Sequence, residues 1–149
     1  MRQVLTIAVA TLVFFVSQGG TALADLLVVI DKTAQQMAVY VDGEQRYRWR
    51  ISSGAPAYST PSGSFVPFRL EPDHYSVEWD DAPMPHSIFF TPKGHAIHGT
   101  PKTRRLGSPV SHGCVRLSPP NAAELFALVT AHGLNKTAIE IVGAESADG

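Results

Sequence analysis

The chain is 149 residues long, with 12 Lys and Arg against 13 Asp and Glu, a formal charge of −1 with its six histidines neutral. That balance excludes a basic nucleic-acid-binding domain, which needs a clustered excess of cations to meet phosphates. A hydrophobic share of 44% against 17% charged excludes a disordered tail or a coiled coil and suffices for one packed domain.

Residues 1–24 read as an export signal. Arg2 supplies the positive start, Val4 to Val16 is an uncharged, mostly apolar run too short to span a bilayer, and Thr21-Ala22-Leu23-Ala24 ends in a small-residue cleavage site. Cleavage before Asp25 leaves a domain over 25–149 with no stable membrane insertion, and no cysteine follows the site to take a lipid. The domain then opens as a β meander. Leu26 to Ile30, Gln36 to Val41 and Glu44 to Ile51 are β-like, and Asp42-Gly43 between the last two predicts a tight hairpin turn with two left-handed residues.

Further strands are expected at Ser64 to Leu70, Ser87 to Thr91, His95 to His98, Val115 to Leu117 and Ala138 to Val142. Glu71 to Pro85 carries Pro72, Pro83 and Pro85 with Tyr75, Trp79 and Met84, and reads as a functional loop, a flap over a site, and not as strand. One helix is expected near the end. Ser118 suits the N-cap and Pro119 the first helical position, Ala122, Leu125, Phe126 and Val129 follow helical spacing, and Gly133 is a natural stop. The fold class expected is mostly β with one packed C-terminal helix.

Chemistry concentrates in His95-Ala96-Ile97-His98-Gly99-Thr100 and Ser111-His112-Gly113-Cys114-Val115-Arg116-Leu117. Cys114 is the only cysteine, so no internal disulfide is possible, and an unpaired thiol in an exported chain is either buried filler or present for its reactivity. A nucleophilic cysteine gains thiolate character from an imidazolium or another cation beside it. His112, two residues before, shares a face with Cys114 only if no turn intervenes at Gly113, whereas His98 can reach it from an adjacent strand across a Thr100 to Pro109 loop. His98 is therefore the expected partner, and Lys102, Arg104 and Arg105 of that loop would make the rim positive. Gly113 allows a turn that aims successive amides at an oxyanion, and Arg116, on the Cys114 face of a regular strand, suits a substrate carboxylate.

The Ser111 to Leu117 run, with His98-Gly99 upstream, resembles the signature of the L,D-transpeptidase catalytic domain, the YkuD family. Ser53-Gly54, Thr60-Pro61-Ser62-Gly63-Ser64-Phe65, Met84-Pro85 and Ala96-Ile97-His98-Gly99 fall in the same order as in that family, so the resemblance covers most of the chain after residue 24. It implies a β-sandwich-like fold with a packed helix, Cys114 as nucleophile, His98 as general base and acid, and the Gly99 carbonyl orienting the imidazole. It further implies an oxyanion hole from the His112, Gly113 and Cys114 amides, and substrate contacts from Arg116, Ser111, Met84 and His86. Gly99 stands where some relatives carry serine, and His86 where an aromatic often follows Met-Pro. The implied reaction is acyl transfer through a thioester, with peptidoglycan tetrapeptide stems as donor. The acceptor would be a stem-peptide amine, a lipoprotein lysine or water, and the setting the periplasm or cell wall.

Two rival readings are weaker. His95, His98, His112 and Cys114 are acceptable zinc ligands, but His95 and His98, three apart, face opposite sides of a strand and Arg116 repels a cation, so neither a metal nor a cofactor is expected. A non-catalytic wall-binding module would have no use for the residue most prone to oxidation in that compartment.

Overall fold

The computed structural model describes residues 24–144. Of the export signal read at residues 1–24, residues 1–23 lie outside the described residues. Among those described, no helix is long and apolar enough to cross a membrane.

Strands β1 (Leu26–Asp31) and β2 (Gln36–Val41) alternate buried and part-exposed residues, as strands do when one face meets a core. β2 turns into β3 (Glu44–Arg50) through Asp42 and Gly43 at φ +50° and +83°, the left-handed pair that Asp-Gly favours. β9 (Thr137–Val142) runs parallel to β1, and β4 (Gly63–Phe65) lies antiparallel to β9, giving a first sheet in the order β3-β2-β1-β9-β4. A second sheet holds β5 (Arg69–Ser76), β6 (Ala82–Phe89), β7 (Ala96–Gly99) and β8 (Val115–Leu117) in chain order, with only the β7–β8 pair parallel.

Helix α1 (Pro119–His132) is capped by Ser118, whose Oγ accepts from the Asn121 amide at 3.4 Å, and ends at Gly133 with φ +98°. It buries Ala122, Leu125 and Val129, chiefly against β6 and β7. The core is shared by both sheets and the helix: Leu26, Val28, Ile30, Met37, Val39, Ile139 and Ile141 from the first sheet meet Ile88, Ile97, Val115 and Leu117 from the second. The molecule is mostly β, in two sheets with one helix, as expected.

Two expectations are corrected. The single strand at Ser64 to Leu70 is two strands in different sheets, and the crossing lies at residues 66–68, where Pro67 has no N–H for a ladder. Glu71 to Pro85 is not an irregular loop: β5 and β6 form a paired hairpin whose turn carries Asp80 and Asp81 at positive φ. Its prolines are tolerated because of where they fall. Pro72 is on an edge strand, and Pro83 and Pro85 occupy the half of β6 that β7 does not pair, since β7 reaches only Ile88 and Phe89.

Candidate active site

In the parallel β7–β8 pair, Ile97 lies beside Val115 and His98 beside Arg116. Ile97, Val115 and Leu117 enter the core, so alternation sends His98 and Arg116, with Cys114 just before β8, to the other side. All three line a cleft of about 690 Å³. Buried Met84, Phe89 and Ala96 form an apolar bed against Cys114. Met84 and Phe89, five residues apart, share that bed because alternation along β6 breaks at His86, which has φ +54°.

His98 is 6% exposed, and its Nδ1 faces the Gly99 carbonyl at 2.6 Å. A carbonyl only accepts, so Nδ1 carries the proton and the neutral ring has its lone pair at Nε2. Burial lowers the imidazole pKa to about 4, outweighing the opposite pull of the Gly99 carbonyl, and the Arg116 charge lowers it further. Burial also pushes the Cys114 thiol up, against smaller opposing effects of the Ala96 backbone and Arg116, and Sγ lies 3.9 Å from the Gly94 carbonyl. Burial thus disfavours the charged form of both groups, acting against the thiolate and imidazolium that the sequence suggests. Arg116 is half-buried, and burial lowers its pKa, yet a guanidinium stays charged.

The Ser111–Cys114 loop is fastened from below. Ser111 N donates to Ser53 O at 3.0 Å, and Ser111 O accepts from Ala55 N at 2.8 Å. Ser111 Oγ donates to the Cys114 carbonyl and accepts the Gly113 amide at 3.1 Å. Gly113 has φ +120°, and a Cβ there would sit 3.1 Å from the His95 ring, so this position needs glycine on both counts. His95 is itself fixed, Nδ1 to Thr91 Oγ1 at 2.6 Å. His112 projects outward, its ring stacked on Trp79 at 3.8 Å and edge-on to Tyr58 at 4.9 Å. A second cleft, lined by Tyr58, Thr91 and Lys93, meets the first at His95 and His112.

Cys114, His98, His112, Arg116 and Met84 are therefore gathered on one cleft, with Gly99 behind His98. Ser111 and His86 are not. Ser111 is 1% exposed and braces the loop from inside, and the His86 ring packs against Phe126 of α1 at 5.3 Å, so neither has the substrate-facing position expected of it. The Gly113 amide, expected in the oxyanion hole, is already held by Ser111. Of the Thr100 to Pro109 cations, Lys102 lines the cleft and Arg104 and Arg105 do not. Arg69 and Lys93 also line it, Arg69 lying 3.9 Å over the Phe89 ring. Neither cation is marked by any motif: the pairing of β5 with β6 brings Arg69 to the cleft, and the turn between β6 and β7 brings Lys93.

The fold and cleft define a class: a mostly β, two-sheet domain whose adjacent parallel strands present cysteine, histidine and arginine to one cavity. Within that class, the family model of the L,D-transpeptidase catalytic domain, YkuD, matches residues 25–141, and the chain belongs to this family. YqjB of Bacillus subtilis (strain 168), whose name assigns it provisionally to the L,D-transpeptidases, is 27% identical over 114 residues, covering 68% of this chain and 65% of its own. An L,D-transpeptidase from Mycobacterium smegmatis superposes with a TM-score of 0.72 at 28% identity, over 80% of this chain and 59% of that one. The L,D-transpeptidase LdtMt1, solved in complex with imipenem, gives 0.71 at 28% identity, over 79% and 59%. The chain thus spans roughly three fifths of the length of these relatives.

Proposed function

We propose that this chain is a cysteine-dependent L,D-transpeptidase acting on peptidoglycan stem peptides through a thioester. The observation that carries this reading is the convergence of Cys114 and His98 on one cleft from adjacent elements, with the His98 ring locked by the Gly99 carbonyl at 2.6 Å. Substrate brings its carbonyl carbon to Sγ. His98 Nε2 takes the thiol proton as sulfur attacks, amide hydrogens of the loop receive the negative oxygen, and the proton passes to the departing D-alanine amine. An acyl thioester remains on Cys114. A stem-peptide amine or a lipoprotein lysine resolves it by transfer; water resolves it by hydrolysis, as a carboxypeptidase would. Two clefts that meet at His95 and His112 support separate approaches for donor and acceptor. Arg116 suits the substrate's carboxylate, and such a substrate requires an exported protein.

Intact-mass spectrometry tests the proposal. Incubation with a tetrapeptide muropeptide or imipenem is expected to leave an adduct on Cys114, absent in Cys114→Ala and formed at least roughly a hundredfold more slowly in His98→Ala. Adduct on Cys114→Ala, or none on the wild type, contradicts it. The muropeptide products, crosslinked dimer or trimmed tripeptide, identify the acceptor.

A further inference from the structure

Thr60 is fully buried and lines neither cleft, yet it is one hydrogen bond from the loop that carries the sulfur. Its Oγ1 accepts from the Gly54 amide at 2.9 Å and donates to the Gly113 carbonyl at 2.8 Å. Gly54 is itself immobilised. A Cβ there would fall 1.9 Å from the Tyr58 carbonyl oxygen, and its neighbours Ser53 and Ala55 are both tied to Ser111.

A peptide unit is planar and trans, so its carbonyl and the next amide point in opposite directions. Holding Gly113 O inward on Thr60 therefore turns the Cys114 N–H outward, to the side on which Cys114 lines the cleft. The preceding unit is set the other way, its Gly113 N–H drawn inward to Ser111 Oγ. Gly113, at φ +120°, is the joint between the two.

We propose that Thr60 is a positioning residue for acyl transfer: it fixes the Gly113–Cys114 peptide so that the Cys114 amide hydrogen meets the oxygen of the carbonyl under attack. The proposal rests on the transpeptidase reading above. Replacing the hydroxyl by a methyl removes the donor that orients Gly113 O and frees the peptide to rotate, while the thiol and His98 are left as they were.

Two reactions of the same sulfur separate aim from reactivity. Acylation by imipenem places negative charge on a carbonyl oxygen, whereas alkylation by iodoacetamide displaces iodide and creates no oxyanion. In Thr60→Val, acylation followed by intact mass is expected to slow roughly tenfold or more, up to the 10²–10³ seen when an oxyanion donor is removed. Alkylation stays within about threefold of wild type, and Thr60→Ser acylates within about threefold of wild type. Equal slowing of both reactions, wild-type acylation by Thr60→Val, or no rescue by Thr60→Ser overturns the proposal. Should Thr60→Val fail to fold by circular dichroism, Thr60→Ala, which sets no methyl against the Gly113 carbonyl, takes its place in the same comparison. A wild type that iodoacetamide labels and imipenem leaves unmodified overturns the transpeptidase reading and this proposal together. An acylated wild type with an indifferent Thr60→Val overturns the role of Thr60 alone.

Discussion

His98 stays neutral in the folded chain down to about pH 4, whereas a free histidine titrates near 6.5. Between those values the unfolded chain binds a proton that the native chain does not, so stability rises with pH across the window. The contribution is complete above the unfolded value and is lost as pH falls from 6.5 through 4, by roughly 3 kcal/mol for a shift of this size. Urea unfolding at pH 7 and pH 4.5 is expected to show this loss in the wild type and a smaller one in His98→Gln, which does not titrate; equal losses would mean that burial of this ring is not the source. The same shift governs the chemistry. A ring neutral at pH 6 is available as a base, so the acid limb of acylation is expected near pH 4, and a limb near 6.5 would contradict it. That Cys114 and His98 line one cleft was legible in the sequence, because their elements are joined by one loop. The desolvation of the thiol was not, because it depends on Met84 and Phe89 of β6 and Ala96 of β7 packing against Cys114.

At the scale of elements, legibility follows the strength of local rules. The helix was readable from Ser118-Pro119, the spacing of Ala122, Leu125 and Val129, and Gly133; the β2–β3 turn was readable from Asp42-Gly43. The β5–β6 hairpin was not, because its prolines are disallowed in a central strand and harmless on unpaired edges, a distinction that exists only once the sheet order is known. His86 misled for a similar reason, since its positive φ turns the ring toward α1 and away from the Met84 side. The hairpin tip reaches the site through Trp79, whose ring lies 3.8 Å from that of His112 and nearly parallel at 4°. An aromatic pair of this kind contributes about 1 kcal/mol. Trp79→Ala is accordingly expected to speed amide hydrogen exchange at residues 77–81 about fivefold while leaving exchange in β1, β2 and β9 unchanged. No change at the tip would show that the stack does not hold it.

For the whole molecule, the site is where the two sheets are joined. Residues 51–60 leave β3, and Ser52 pairs with Arg116 while Gly54 pairs with Ser111, so the chain departing from the first sheet becomes the backing of the second sheet's reactive edge. Side chains from both sheets enter one core, so loosening this joint is felt on both sides. Gly54 is its tightest point: an added Cβ would meet Tyr58 O at 1.9 Å, Tyr58 C at 2.9 Å and Thr60 N at 3.0 Å, all backbone atoms that cannot swing aside as a side chain would. Gly54→Ala must displace residues 55–60, and with them the Thr60 contact and the Ser53 and Ala55 bonds to Ser111. A loss of roughly 3 kcal/mol or more is expected, at the upper end for a single substitution, because strain and broken hydrogen bonds coincide. The two tryptophans report on opposite parts of the molecule, Trp49 on β3 and Trp79 at the β5–β6 tip. Urea unfolding of variants retaining only one of them is expected to give one shared midpoint, shifted equally to lower urea by Gly54→Ala. A shift confined to the Trp79 reporter would mean that the joint serves the second sheet alone and that the first holds together without it.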